Sequence, residues 1–461
     1  MLLNRFLFGA VALLLSKAAL TRDGAFDRSF GAGGIAELLP PNTGVRPLAM
    51  TIDGQGRALV AGAYSDTDGI HGFVLRLLPN GQPDPTFAGD GWFVMPHIPQ
   101  LGFAAGIRTV FRAIEVKPGG IYVAGYPKVS QNGTCGLVVA LTDSGTLRTD
   151  FGTAGTGAVC GPAGLPQGEA GTTDRHLPRV GLIVTDEQIL ISIVRIHGFA
   201  YPFPTAQWLY ALTLTGTADT RFGNQGLITF DGGFLASGLA LDNQGRLVVG
   251  GGNNGGFAFQ RRSLPTGTLD NGFGVLGTAT IAIPNYGFYP EIGETWVMAG
   301  DRPTFSFRNY RDLQGEQGSW NYGFLRTTAD GSPDGSVANH PQGSSPGYVA
   351  HATLLANEPT GFFDTAATPD PFGRVLVAGP ELVRLQPDGN LDAGFGTAGY
   401  VDLPQPPTES GPTTIQFVQQ SMAADRAGNA FVATAEFGGS SQTAFRVVKI
   451  VGDTLGASGF E

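Results

Sequence analysis

A phrase of consensus DG-x-x-D-x-x-F-G-x-x-G recurs six times along this 461-residue chain, its first glycine, phenylalanine and last glycine kept in every copy, and no other feature narrows the possible folds so far. Phe30, Phe87, Phe151, Phe222, Phe273 and Phe395 are each followed by glycine four residues later and preceded by glycine six residues earlier. Asp27, Asp84, Asp219, Asp270 and Asp392 stand three residues before the phenylalanine, and Arg148 takes that place in the remaining copy. Spacing this regular marks one structural unit repeated along the chain.

A second phrase lies between copies of the first: DGQGRALVAG from Asp53, DNQGRLVVGG from Asp242, DPFGRVLVAG from Asp370 and DRAGNAFVAT from Asp425. Aspartate at its first place and glycine at its fourth suit a type I turn, and the β-branched run behind them suits a buried strand. KPGGIYVAG, TDEQILISI and GETWVMAG are looser copies. A third phrase, GFVLRLLPNG from Gly72, returns as CGLVVALTDSG, WLYALTLTG, GFAFQRRSLPTG, GFLRTTADG, ELVRLQPDG and, altered, AFRVVKIVGD.

Each unit therefore holds four short strands joined by tight turns, with Asn-Gly and Asp-Gly pairs permitting positive φ. From Asp53 to Asp425 there are 372 residues over six steps, a mean period of 62. The spacing predicts an all-β, seven-bladed propeller with four antiparallel strands per blade. One strand of each blade, counted as its second, is expected to open near Leu48, Val110, Val180, Ser237, Pro290, Phe362 and Phe417. The fifth unit, DGSPDGSVANHPQG, keeps the turn but lacks the phenylalanine. The first copy supplies only a fourth strand, and the chain ends after three strands. Strand 34–39 is therefore expected beside strand 444–450, so that both ends of the chain share the last blade and leave no free sheet edge.

These phrases resemble the delta-60 repeat family of exported, mostly bacterial, propeller-like proteins, over nearly all of residues 22–455. The resemblance implies a propeller and an extracytoplasmic location. It implies no settled activity, so no catalytic residues are carried over.

The chain opens with Arg5, the apolar run FLFGAVALLL and small residues at Ser16 and Ala18. This predicts a signal peptide over residues 1–19 and a single propeller domain over 20–461, in a secreted, periplasmic or cell-surface protein. The alternative is a membrane anchor, but the run is shorter than the ~20 residues that span a bilayer. No later segment is apolar enough to span. Charged residues make up 14% of the chain and the net charge is −10, which argues against a nucleic-acid partner. No cofactor is implied, and the chain is expected to be a monomer. Cys135 and Cys160 are expected to be bonded, because they open the third strand and end the fourth strand of one blade.

Repeated residues read as structural. The six phenylalanines are expected to wedge between blades. Arg76, Arg262, Arg326 and Arg384, five residues before a turn glycine, are expected to partner carbonyls or the recurring aspartate. Binding is expected where the blades differ, on long unrepeated loops carried by a rigid scaffold. Two such loops are aromatic: GFAYPFPTA, with Phe199, Tyr201 and Phe203, and FSFRNYRDLQGEQGSW, with Phe305, Phe307, Tyr310 and Trp320. The short GGNNGG between them would leave a cleft with aromatic walls, which suits sugar rings or an extended peptide. The alternative is that these aromatics pack on one another to anchor the loops.

Arg46, Arg108, Arg112, Arg175 and Arg179 fall where the first strands of blades one to three begin, near the channel. They either hold an anionic ligand there or pair with Glu115, Glu169 and Asp174. The six histidines show no metal spacing, and SDTDG from Ser65 lacks the full calcium-loop pattern. No nucleophile elbow, phosphate loop or dinucleotide fingerprint is present. The leading function is a binding scaffold for a glycan, peptide or protein. The alternatives are an extracytoplasmic propeller hydrolase or lyase with its site at the channel mouth, and a structural envelope component.

Overall fold

The computed structural model describes residues 23–38, 44–67, 69–102, 108–128, 135–161, 179–196, 205–230, 234–253, 256–282, 290–313, 316–337, 346–352, 366–379, 381–404, 417–438 and 441–452. The expected signal peptide lies outside them. These residues form seven antiparallel sheets arranged as the blades of a propeller. The innermost strands are Gly44–Ile52, Arg108–Lys117, Arg179–Val184, Phe234–Leu241, Pro290–Met298, Ala366–Pro369 and Phe417–Ala424. These are the strands that the sequence counts as second; the structure makes each the first of its sheet. The opening expected at Phe362 lies outside the described residues. Among the described residues no helix is long and apolar enough to cross a membrane.

The ring closes through both ends of the chain. Ile35–Glu37 pairs with Ser441–Ile450, with Ile35 opposite Val448 and Glu37 opposite Arg446, so the last blade takes three strands from the C-terminal part and its outer strand from the N-terminal part. Gly24 N–H donates to the Val451 carbonyl (2.8 Å), and Asp27 N–H donates to that of Lys449 (2.8 Å).

The repeated phrases explain how blades adhere. All six motif phenylalanines are fully buried, and in the fifth blade Val337 fills the same place. Gly81 has φ +85°, and a Cβ there would fall 2.9 Å from Gly31 N and 3.2 Å from the Phe30 ring of the preceding blade. A side chain would therefore push the wedge out. The N–H after each phenylalanine donates to the turn of the following blade: Gly31 to Asn80, Ala88 to Ser144, Gly152 to Thr215, Gly223 to Thr266, Gly274 to Asp330 and Gly396 to Asp23.

A buried arginine completes the joint. Arg76 donates to Asp84 Oδ2 (2.8 Å) and to the Asp143 carbonyl of the next blade (2.5 Å), and its guanidinium lies 4.6 Å over Phe87. Burial alone would raise the Asp84 carboxyl. Thr86, through its hydroxyl and amide, and Arg76 outweigh that and hold it below the usual carboxylate range. Arg326 with Asp334 and Arg384 with Asp392 repeat the pairing. In the fourth blade the paired residue is Arg261, not Arg262: it donates to Asp270 (2.8 Å) and to the Ala329 carbonyl (2.5 Å). The turn there is one residue longer, so Arg262 instead donates to the Gly267 carbonyl and lies over Phe230. The third blade lacks the arginine. Gln188 replaces it and donates to both Asp219 (2.7 Å) and the Pro265 carbonyl of the next blade (3.1 Å).

Cys135 and Cys160 form the expected disulfide, with Cα atoms 5.5 Å apart. The bridge closes a loop of sequence separation 25, worth about 3 kcal/mol in the chain-entropy account. Reduction of the protein should add two daltons to the intact mass and lower the melting temperature by a few degrees. Two free thiols before reductant would refute the bond.

Candidate functional site

The central channel holds a cavity of about 260 Å3, lined by the innermost strand of every blade. At one level of the ring sits the residue five positions before each second-phrase turn: Leu48, Arg112, Val180, Ser237, Glu294 and Gln420. The equivalent in the sixth blade, Thr365, lies outside the described residues. Four of these strands are bulged at this level: between Pro47 and Ala49, Phe111 and Ala113, Ala236 and Gly238, and Ile292 and Thr295. A bulge leaves one residue out of the ladder and re-aims its side chain. Here it takes Arg112 and Glu294 out of the strict alternation of their strands. The bulge at Glu294 requires its neighbouring glycine, since a Cβ on Gly293 would fall 1.9 Å from the Ser306 carbonyl oxygen. Ser306 Oγ accepts the Glu294 N–H (2.9 Å) and fixes the turn of the backbone there.

Among the described residues the ionisable groups lining the cavity are Arg112, Arg179 and Glu294. Glu294 is open to the water of the cavity yet has protein on every side. That enclosure raises its carboxyl above the ordinary range, and Arg179 and then Arg112 oppose the rise. Gln420 and Ser421 also line the cavity, and both are buried. Gln420 donates through Nε2 to the Gly379 carbonyl (2.7 Å), while its Oε1 and the Ser421 Oγ lack a hydrogen-bond partner among the described residues.

Two of the five channel arginines named from the sequence, Arg112 and Arg179, thus line the cavity, whereas Arg46 stands opposite Ala63 on the first blade and is not among the lining residues. Arg108 opens the innermost strand of the second blade, its backbone opposite Lys128, and its side chain lies outside the described part of the structure. The carboxylate that faces the arginines is not among those named from the sequence. Glu115 is engaged elsewhere: it pairs with Lys117 (2.8 Å) and accepts the Val184 N–H (2.5 Å). Arg175, Glu169 and Asp174 lie outside the described residues. Glu294 was legible in principle. GETWVMAG, read from the sequence as a copy of the turn-and-strand phrase, instead lies mostly in the innermost strand Pro290–Met298, ahead of its turn, and counting back from that turn places Glu294 level with Arg112 and Gln420.

The aromatic residues divide. Phe199, Tyr201 and Phe203 lie outside the described residues. The segment read as a long fifth-blade loop is a β-hairpin, Arg302–Leu313 against Glu316–Arg326, in which Tyr310 stands opposite Trp320. Phe305 and Phe307 are core residues: both are buried, packed on Phe257 at 5.1 and 5.9 Å, and Phe307 stacks on Tyr348 at 5.2 Å. The fourth-blade hairpin between them and the third blade is short, with Asn253 opposite Gly256.

Among the described residues no three of His, Cys, Asp and Glu gather as they would around a metal ion. His351 is buried, with Nε2 2.8 Å from the Gly389 carbonyl, and His71 lies 3.8 Å from Asp66; His176, His197 and His340 are outside the described residues.

A family described as a domain of unknown function (DUF5122) beta-propeller matches residues 56–87 and 373–395, which fall on the first and sixth blades. No curated protein matches the chain. Among solved structures, an α-L-arabinanase from Penicillium chrysogenum complexed with arabinobiose is 10% identical, covering 91% of this chain and 96% of its own, with a TM-score of 0.43. A polysaccharide lyase described as a PL25 ulvan lyase is 11% identical, covering 94% and 97%, with a TM-score of 0.44. A protein of unknown function from Dyadobacter fermentans is 11% identical, covering 91% and 99%, with a TM-score of 0.40.

Proposed function

We propose that this chain is an exported binding scaffold that recognises a glycan, peptide or protein at the channel mouth and the loop face around it. One observation carries the reading. The repeated residues are spent on joining blades, whereas the equivalent channel positions hold Leu48, Arg112, Val180, Glu294 and Gln420, all different. A ring of like blades that differs where it meets its channel has the form of a rigid frame around a site. The signal peptide expected over residues 1–19, the disulfide and the resemblance to delta-60 repeat proteins support a secreted, periplasmic or surface location. Tyr201, Phe203, Tyr310 and Trp320 are proposed as the aromatic walls of the mouth, with Arg108, Arg112 and Arg179 on the channel side.

The test is retention of the purified protein on glycan and peptide arrays, with and without the double change Tyr201→Ala and Trp320→Ala. The parent should be retained, and the variant should lose retention while its melting temperature moves by less than about 1–2 °C. A collapse of stability would make these residues loop core, and a parent that is never retained would end the reading.

A hydrolase or lyase at the same mouth is the second reading. The observation that favours it is Glu294, a carboxyl raised by enclosure and set near two arginines, as suits a general acid or base. Release of reducing ends or unsaturated sugars from a polysaccharide, lost in Glu294→Gln, would establish that reading in place of the first.

A further inference from the structure

We propose that the joint between the fifth and sixth blades is a seam, at which the ring parts ahead of every other joint, and that its parting widens the channel cavity. This goes beyond the scaffold reading and does not depend on which ligand the channel takes.

Four features set the joint apart, and each lowers the free energy of opening it. The first is the wedge. A Cβ on Gly145 or Gly267 would meet the ring of Phe87 or Phe222 from the preceding blade, at 2.8 and 2.6 Å. On Gly389 of the sixth blade it would meet Val349 instead, at 2.9 Å, since the fifth unit carries Val337 where the other joints keep phenylalanine. Valine buries less apolar surface, so less is exposed when this joint parts. The second is the arginine. Arg76, Arg261 and Arg384 each donate through Nη1 to a carbonyl of the following blade. Arg326 keeps its bond to Asp334, but its Nη1 is buried without a hydrogen-bond partner.

The third feature is Trp296. It belongs to the apolar core shared with the sixth blade, it is 7% exposed, and its Nε1–H also lacks a partner. A buried donor without an acceptor penalises the closed joint, and water supplies the acceptor once the joint parts. The fourth is the size of the sixth blade. Its second and third strands, Val375–Ala378 and Glu381–Leu385, have 4 and 5 residues against 12 and 11 in the fifth blade. The far end of the fifth-blade hairpin therefore rises past the sheet it packs on. His351 supplies a bond in partial compensation. Its Nε2 lies 2.8 Å from the Gly389 carbonyl and must carry the hydrogen, since a carbonyl only accepts. It stands where Met95, Ile281 and Leu403 stand in other blades, four residues after the last glycine of the unit.

The seam borders the channel. Trp296 and Ala367 belong both to its apolar core and to the wall of the cavity, and Thr368 and Pro369 continue that wall on the sixth blade. Parting these two blades therefore adds volume to the cavity. At about 260 Å3 the closed cavity falls below the ~300–1,000 Å3 of sites for drug-sized molecules, so a ligand of that size requires the open seam.

Hydrogen exchange and thiol labelling of the full chain test this. Tyr348–Ala352 and Thr278–Ala282 are outer strands of 5 residues on neighbouring blades. In the unmodified protein, amides of the first should exchange at least about tenfold faster than those of the second. Val349 and Ala279 stand two residues after the last glycine of their units, and each meets the turn glycine of the next blade, Gly389 or Gly331. The thiol of Val349→Cys should label at least about tenfold faster than that of Ala279→Cys, and adding Phe273→Val should bring the second up toward the first. For the cavity, Ala367→Cys should react with bulky and small maleimides alike. Val180→Cys, on the wall away from the seam, should react with the small one only. If Val349→Cys fails to fold, the exchange comparison on the unmodified chain decides. Equal exchange in the two outer strands would overturn the seam. So would equal labelling of the two thiols, or labelling of Val349→Cys no faster than global unfolding. Exclusion of the bulky reagent from Ala367→Cys would overturn the widening of the cavity.

Discussion

Deleting residues 22–40 should lower the melting temperature by about 10 °C and drive the protein into aggregates, measured by calorimetry and size-exclusion chromatography. Three losses combine. The strand Ser441–Ile450 loses its partner Ile35–Glu37, so a strand of 10 residues replaces one of 3 residues as the outer edge of the last blade. Exposed edges of this kind template pairing with other chains. The wedge Phe30, fully buried and 5.8 Å from the Phe431 ring, is removed. Asp27, which pairs with Lys449 at 2.9 Å, and Asp23, which accepts from Arg384 at 3.2 Å, go with it. The shortened chain also has fewer residues to order, at about 1–2 kcal/mol each, so the net loss is smaller than the buried surface alone suggests. Phe30→Ala isolates the wedge. At about 3–5 kcal/mol for a buried phenylalanine, and with unfolding entropy near 2.1 cal/mol/K per residue, it should cost about 4 °C. A synthetic peptide of residues 22–40 should raise the melting temperature of the truncated chain as its concentration rises. A truncated protein that melts with the intact one would sink the shared blade.

That closure was legible because turn chemistry fixes spacing. The glycines at positive φ and the aspartates that cap turns cannot drift without breaking the strands between them, so their periodicity survives where strand residues vary. What was not legible depends on single-residue offsets. Arg262 fits the sequence register and Arg261 makes the ion pair, because Arg261 stands nine residues before Asp270 while Arg76, Arg326 and Arg384 stand eight before their aspartates. The fifth-blade hairpin was read as loop because its turn is far from any copy of the repeated phrases. Its period-two signal, Phe305 and Phe307 on one face, was present. Glu294 was overlooked for a different reason. Bulges add a residue to one strand only, and the propensity of a strand does not reveal them. They became visible only as register shifts against the second strand of each blade.

Replacing Arg384 by Met should destabilise the ring by about 3–5 kcal/mol, the cost of leaving a buried charge without its partner. The same change at Arg148 should cost at most about 1–2 kcal/mol. Arg148 stands in the aspartate's place of the repeated phrase and Ala140 in the arginine's, so the comparison sets a buried arginine of the joint against one paired at the surface. Arg384 is 2% exposed; it donates to Asp392 (2.7 Å), to Asp23 (3.2 Å) and to the Gly452 carbonyl, and lies 4.2 Å over Phe395. One side chain thus ties the sixth blade to both ends of the chain. Methionine fills the space but leaves Asp392, 7% exposed, facing only the more distant Arg374 at 3.9 Å. Arg148 instead pairs with Asp150, whose side chain is 68% exposed, and water can replace that contact. Its hydrogen bond to the Tyr122 hydroxyl, at 2.6 Å, accounts for most of the expected cost. Arg384→Lys should recover less than half of the loss, because an ammonium cannot reach the aspartate and the carbonyl with the same planar fork. Chemical denaturation should show the gap as a shift of midpoint at constant slope. Equal costs at the two sites would mean that the buried arginine is packing material, with hydrogen bonds contributing nothing net to the joint between blades.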